Sequence, residues 1–230
     1  MKTTLPAIIT LSIIMTFSSC STRRYDTNTL FEQQTAHHKV VAVLPAEMIF
    51  TGKLPKDLSP EDISSIEERE SRSFQYSLYN SILRYANNRD YYIRVNLQDI
   101  NTTQSLLEKA GISLRDSWKQ DDKTLAKVLG VDAVVRLRIE KKRYMSDLAS
   151  MGIDAGRRIL SGTGAALKWL PSVSNKTNDI MASCNVMSNS LTLWNNNYKR
   201  GADHNTPSDR VIEDITDRFG RNFPYKQRNG

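Results

Sequence analysis

Cysteine, histidine and long apolar runs are scarce in this chain. Its 230 residues include two cysteines, Cys20 and Cys184, so no disulfide scaffold organises the fold. The histidines are His37, His38 and His204. His37 and His38 are adjacent, so on an extended chain they face opposite ways. No cysteine or histidine stands at metal-ligand spacing from them. A histidine-dependent active site therefore has few bases to draw on. No Gly-x-Ser-x-Gly elbow occurs. The stretch "GTGAALK" at 162–168 has the glycines and lysine of a phosphate loop, but Trp169 stands where a hydroxyl residue is required, and no strand pattern precedes it. The paired acids Glu67-Glu68 and Asp121-Asp122 fall on helical patterns and read as solvated faces rather than as a glycosidase pair. These gaps lead us to expect a non-enzyme with no catalytic residues, no metal and no cofactor. No stretch reaches 18 uninterrupted apolar residues, so no transmembrane helix is expected.

Negative charge is also in deficit, with 25 acidic residues against 32 Lys and Arg, a net charge of +7. The excess is local. From Arg136 to Lys176 the chain carries nine basic residues and three acids, Glu140, Asp147 and Asp154. Such a segment suits an anionic head group or an acidic partner.

What the chain does have begins at its start. Lys2 is the one charge before Cys20, and "LPAIITLSIIMTF" runs uncharged from Leu5 to Phe17. As a helix this run spans roughly 20 Å, too short for a bilayer core of about 30 Å. A positive start, a short apolar core and small residues at Ser18 and Ser19 make a secretory signal over residues 1–19. The following "FSSC" resembles the lipobox of bacterial lipoproteins. That resemblance implies acylation of Cys20, which becomes the first residue of the exported chain. Several acyl chains hold firmly, because each buried CH₂ contributes about 0.8 kcal/mol. In well-studied lipoproteins an aspartate after the cysteine retains the protein in the inner membrane. Ser21 therefore implies the outer membrane, with the domain facing the periplasm. For an exported chain we expect no nucleic-acid partner.

Residues 20–38 are polar and without period, and read as the acylated cysteine and a flexible tether. Val40 to Leu44 is a continuous apolar run suited to a strand buried on both faces, with a loop expected over "IFTGKLPKDL". "SPED" at 59–62 starts a helix expected to reach Ala86, with a break near the polar gap at 67–73. "YYIRVNLQDI" reads as a strand. "NTTQSLLEKAG" and "DDKTLAKVLG" read as short helices closed by Gly111 and Gly130. Val135, Leu137 and Ile139 then alternate with Arg136, Arg138 and Glu140, as in a strand with one wet face. A glycine-punctured insertion at about 146–179 follows. "IMASCNVM" and "LTLWN" form a strand hairpin around "SNS". In it Cys184 reads as a buried, inert thiol and Trp194 as core. A helix over Val211, Ile212, Ile215 and Phe219 closes the pattern.

The fold class this order implies is α/β (or α+β): a single mixed sheet flanked by helices, one domain over 39–225, with the Gly-rich insertion between two strands. The stretches "VVAVLP", "LAKVLGVDAVVRLRI", "IMASCNVM…LTLW" and the closing helix carry a further resemblance. They resemble the fold shared by the amino-terminal domain of the Tol–Pal translocation protein, the curli-secretion channel lipoproteins and the lipoprotein activators of penicillin-binding proteins. The likeness spans about residues 39–222 and implies a binding or assembly role. The expected function is an outer-membrane lipoprotein, held to the membrane through Cys20, whose domain engages an envelope protein or an anionic envelope polymer. The alternative is a subunit of an oligomeric secretion channel. Arg157, Arg158, Lys168 and Trp169 mix charge with apolar surface in the insertion, and are the candidate contacts for partner or membrane.

Overall fold

A computed structural model describes residues 25–52, 59–143, 178–202 and 205–229. In chain order the elements are β1 (Tyr25–Thr27), α1 (Phe31–Thr35), β2 (Val40–Val43), β3 (Glu47–Gly52), α2 (Pro60–Ala86), β4 (Tyr91–Ile93), β5 (Asn96–Leu97), α3 (Ile100–Lys109), α4 (Leu114–Lys119), α5 (Asp122–Leu129), β6 (Ala133–Arg143), β7 (Asn178–Ser188), β8 (Leu191–Ala202), α6 (Ser208–Arg221) and β9 (Lys226–Arg228). Seven of the described strands form one mixed sheet in the order β1-β8-β7-β6-β2-β5, and β3 continues beside β6 where β2 stops. β2 and β3 lie parallel to β6, while along β6, β7, β8 and β1 each strand is antiparallel to the next. β4 and β9 make a separate antiparallel pair. The architecture is the expected mixed sheet flanked by helices.

The continuous apolar run of β2 serves both faces. Val41 and Val43 pack with Phe74, Leu78 and Ile82 of α2 and with Ile215 and Phe219 of α6. Ala42 and Leu44 point the other way, against Leu107 of α3 and Leu125 and Leu129 of α5. On β6 the alternation sends Val135, Leu137 and Ile139 into the first core, with Cys184, Val186 and Trp194 beside them.

α2 starts as its sequence dictates. Ser59 Oγ accepts the Asp62 N–H at 3.1 Å, and Asp62 Oδ2 accepts the Ser59 N–H at 3.0 Å, a reciprocal cap with Pro60 in the first turn. The helix runs unbroken to Ala86, across the expected break. Residues 67–73 are polar because they meet polar partners. Glu67 and Glu68 take Arg115 of α4, at 2.6 and 3.0 Å, and Glu70 takes Lys141 of β6. One turn further on, buried Gln75 donates to the Val43 carbonyl at 2.7 Å. The acids read as a solvated face are in part enclosed: Glu67 and Asp122 side chains are each 14% exposed and ion-paired.

Other differences have local causes. Residues 25–38, read as part of a tether, include strand β1 and helix α1. Tyr25–Thr27 pair with β8, Phe31 is buried against the Tyr225 ring at 5.4 Å, and buried Thr35 donates to the Phe31 carbonyl. Elements this short carry no readable period. Residues 49–52, read as the start of a loop, belong to β3. β8 extends past "LTLWN" to Ala202. "YYIRVNLQDI" splits between the two sheets. α4 and β9 went unread.

Candidate functional site

The last residues of β3, β6 and β8 and the first residue of β7 stand in one row. Gly52 pairs with Arg143, Arg143 with Asn178, and Asn178 with Ala202. Residues 53–58, 144–177 and 203–204 connect at this row. Gly52 closes its end tightly: at φ +87 it lies in glycine's territory, and an added Cβ would stand 2.2 Å from the Arg143 carbonyl oxygen. The candidate contacts Arg157, Arg158, Lys168 and Trp169 lie outside the described residues, as does Cys20. The structure does fix where their segments join the domain. Both ends of 144–177 meet as neighbours at Arg143 and Asn178. Tyr25 enters the sheet beside Asn196 of β8.

Next to this row no described helix covers the second face of the sheet. α3 and α5 roof the part near β2, and α4 with the start of α5 holds Arg136. That guanidinium pairs with Asp122 and donates to the carbonyls of Ser117 at 3.2 Å, Trp118 at 3.3 Å and Gln120. Beyond Arg136 no described helix crosses. A shallow groove of about 790 Å³ remains, lined by Arg138, Glu140, Met181, Ser183, Asn197 and Lys199. Its charges are balanced locally. Arg138 lies 3.3 Å from Glu47, and Lys199 lies 3.0 Å from Asp179. Such exposed pairs hold geometry at little net gain. Asn185, Asn195 and Asn197 join in a hydrogen-bonded amide chain along the same face. Met181 is 42% exposed. The described lining offers donors and acceptors to a polar ligand or strand.

The opposite end of the molecule collects cations and tyrosines. Asp217 of α6 accepts from Ser81 at 2.6 Å, Tyr85 at 2.7 Å and Arg84 at 3.1 Å. The Arg84 and Arg221 guanidiniums lie 5.3 and 4.9 Å from the Tyr85 ring, and Lys226 lies 4.4 Å from the Tyr91 ring. This serine–aspartate contact lacks a histidine and ties α2 to α6. His38 Nδ1 instead shares a 2.7 Å hydrogen bond with the buried Tyr225 hydroxyl. Burial holds His38 below its ordinary value of 6.5 and pushes Tyr225 up. Burial opposes ionisation of Asp132 as well, but N–H groups of Val40, at 2.9 Å, and Lys39, at 2.7 Å, hold its carboxyl below the usual range. It caps the start of β2. Cys184 is fully buried, and burial pushes its thiol up. Among the described residues no group of three or more His, Cys, Asp or Glu is placed to hold a metal ion. No described helix is long and apolar enough to cross a membrane.

Sequence reading missed the Arg136 and Arg115 clasps. Their signal was present as runs of acids, Glu67-Glu68 and Asp121-Asp122, but a run does not reveal which helix will lie opposite.

No family model matches the chain, and no curated protein matches it. Solved structures similar to it include a PelC dodecamer from Paraburkholderia phytofirmans, at 10% identity and a TM-score of 0.34, covering 80% of this chain and 85% of that one. A lipoprotein from Neisseria meningitidis is similar at 11% identity and a TM-score of 0.41, covering 77% of this chain and 92% of that one. The C-terminal domain of LpoB from Salmonella enterica is similar at 11% identity and a TM-score of 0.31, covering 76% and 93%.

Proposed function

We propose that this chain is a non-enzymatic outer-membrane lipoprotein, acylated on Cys20, whose periplasmic domain binds another envelope component in an assembly or regulatory role. The observation that carries the reading is the ordered start of the chain: Lys2, an uncharged run from Leu5 to Phe17, small residues, then Cys20. The domain fits a binding role. Its polar clusters, around Asp217, Arg136 and Asp132, are spent on joining helices and strands. Its open groove presents matched charges and amides. Arg157, Arg158, Lys168 and Trp169 remain the proposed contacts for partner or membrane.

The test is the mass of the N-terminal peptide of the protein extracted from bacterial membranes. A peptide beginning at Cys20 with added acyl mass supports the reading, and the Cys20→Ser chain should lose that mass and leave the membrane fraction. A mature N-terminus elsewhere, or an unmodified Cys20, overturns it.

A second reading, a subunit of an oligomeric secretion channel, rests on the segment 144–177 leaving and rejoining the sheet at one point. The mass of the whole particle in mild detergent separates the two. A ring of many copies supports the channel, and a monomer or dimer supports the binding module.

A further inference from the structure

We propose that the outer edge of β9, from Lys226 to Arg228, is a docking edge for an acidic, extended segment of a partner protein. The inference rests on the binding role proposed above and deepens it, naming a surface and the chemistry of what that surface takes.

β4 and β9 pair with each other and with no other described strand. Arg94 N–H donates to the Tyr225 carbonyl at 3.0 Å, and Asn229 N–H donates to the Asp90 carbonyl at 2.9 Å. Bonds of this kind join alternate residues of an antiparallel pair. Lys226 and Arg228, which stand opposite Ile93 and Tyr91, therefore turn their N–H and C=O groups away from β4. The Phe223 carbonyl accepts the Lys226 N–H at 3.2 Å. The Lys226 carbonyl and both backbone groups of Arg228 have no protein partner among the described residues. On β4 the matching groups of Tyr91 are closed by Asn88. Its N–H donates to the Tyr91 carbonyl at 2.8 Å, and its Oδ1 accepts the Tyr91 N–H at 3.2 Å. β9 thus keeps an acceptor, a donor and an acceptor along one edge, the set that an added strand pairs with.

The side chains around this edge are cationic. Arg89, Arg221 and Arg228 are exposed, and Lys226 is half-buried. Lys226 Nζ lies 4.4 Å from the Tyr91 ring and donates to the Arg221 carbonyl. Arg84 and Arg221 share Asp217, at 3.1 and 3.8 Å. Among the described residues no carboxylate lies at ion-pair distance from Arg89, Lys226 or Arg228. Asp90 is the exposed acid beside them. Cations on a strand edge keep neutral strands from pairing there. The same charges favour a strand that brings carboxylates. A lipid head group or an acidic glycan would answer the side-chain charge but leave the backbone groups of Lys226 and Arg228 unmet, so an acidic polypeptide fits this edge best.

The test uses the full-length protein extracted in a nonionic detergent and a fluorescent, acetylated peptide alternating glutamate and valine, with binding read as anisotropy. The acidic peptide should bind, and its lysine counterpart should not. The acidic peptide with methylated backbone nitrogens should bind about tenfold or more weakly. Lys226→Glu with Arg228→Glu should weaken the acidic peptide by about tenfold or more. Arg210→Glu, exposed at the far end of α6, should change it by less than about twofold. Unchanged urea midpoints show that these variants fold. Amide exchange over residues 226–229 should slow when the peptide is added. Equal binding of the plain and methylated peptides, an equal loss in Arg210→Glu, or binding of polygalacturonate in place of the peptide overturns the proposal. The N-terminal peptide mass is measured on the same preparation. Acylated protein that ignores the acidic peptide overturns this edge and leaves the lipoprotein reading standing. Protein without acyl mass that binds the peptide overturns the anchor and leaves the edge.

Discussion

Gly220 lies where α6 comes closest to α2, and a Cβ built there would stand 2.7 Å from the carbonyl carbon and oxygen of Ser81. Alanine is the better helix former by about 1 kcal/mol, but here its methyl would push the two helices apart. Gly220→Ala should therefore lower stability by about 1–3 kcal/mol in urea denaturation, and a rise would show that the helices separate freely. His38 supplies a pH dependence. Its ordinary value is 6.5, and burial lowers it in the folded chain; Arg94 acts in the same direction and Asp132 in the opposite one. The unfolded chain then takes up the proton more readily, so this contribution is present above about pH 6.5 and is lost as pH falls toward the lowered folded value. His38→Gln should flatten the stability profile between about pH 7 and pH 5. A profile unchanged by the substitution would place the titration elsewhere. Single residues were legible where their role was local. Trp194 and Cys184 in the core followed from alternation, and Gly130 at a helix end followed from its position. Arg136 was not legible, because the carbonyls it holds belong to a turn of α4 that only the folded chain brings near.

Among the elements, α2 was the most readable. Ser59, Pro60 and Asp62 announce its start, and Ser59→Ala should cost about 1 kcal/mol by removing the reciprocal cap. Thermal or urea unfolding measures it, and an unchanged midpoint would mean that the first turn contributes nothing to global stability. β6 was equally plain, since its inward side is apolar and its outward side charged. β3 and the second half of β8 were not. β8 continues through "NNNYKRGA", residues that disfavour strands and of which Asn196 is fully buried, yet it is held by the full length of β7. Neighbours outweighed propensity there. β3 follows Pro45 and ends at Gly52, and its pairing with β6 lies far away in sequence. The break expected in α2 failed for a related reason: a polar gap marks a loop only when nothing polar faces it, and Arg115 and Lys141 face this one.

For the whole molecule, the sheet sorts its surfaces by direction. α2 and α6 run parallel, since Ser77 meets Thr216 and Ser81 meets Asp217. Both helices begin near the row of Gly52, Arg143, Asn178 and Ala202, and both end among Arg84, Tyr85 and Arg221. The sequence showed the excess of positive charge but not this polarity, because direction arises only when strand order is known. The adjacency of Arg143 and Asn178 also makes a deletion feasible. Replacing 144–177 with Asn-Gly should close β6 and β7 as a two-residue hairpin and leave stability within about 1 kcal/mol. Failure of that protein to fold would mean that the removed residues are part of the core. Success would describe the row as a socket: a place where one lineage can lengthen, shorten or exchange a segment while the domain beneath it stays the same, so that scaffold and attachment change at independent rates.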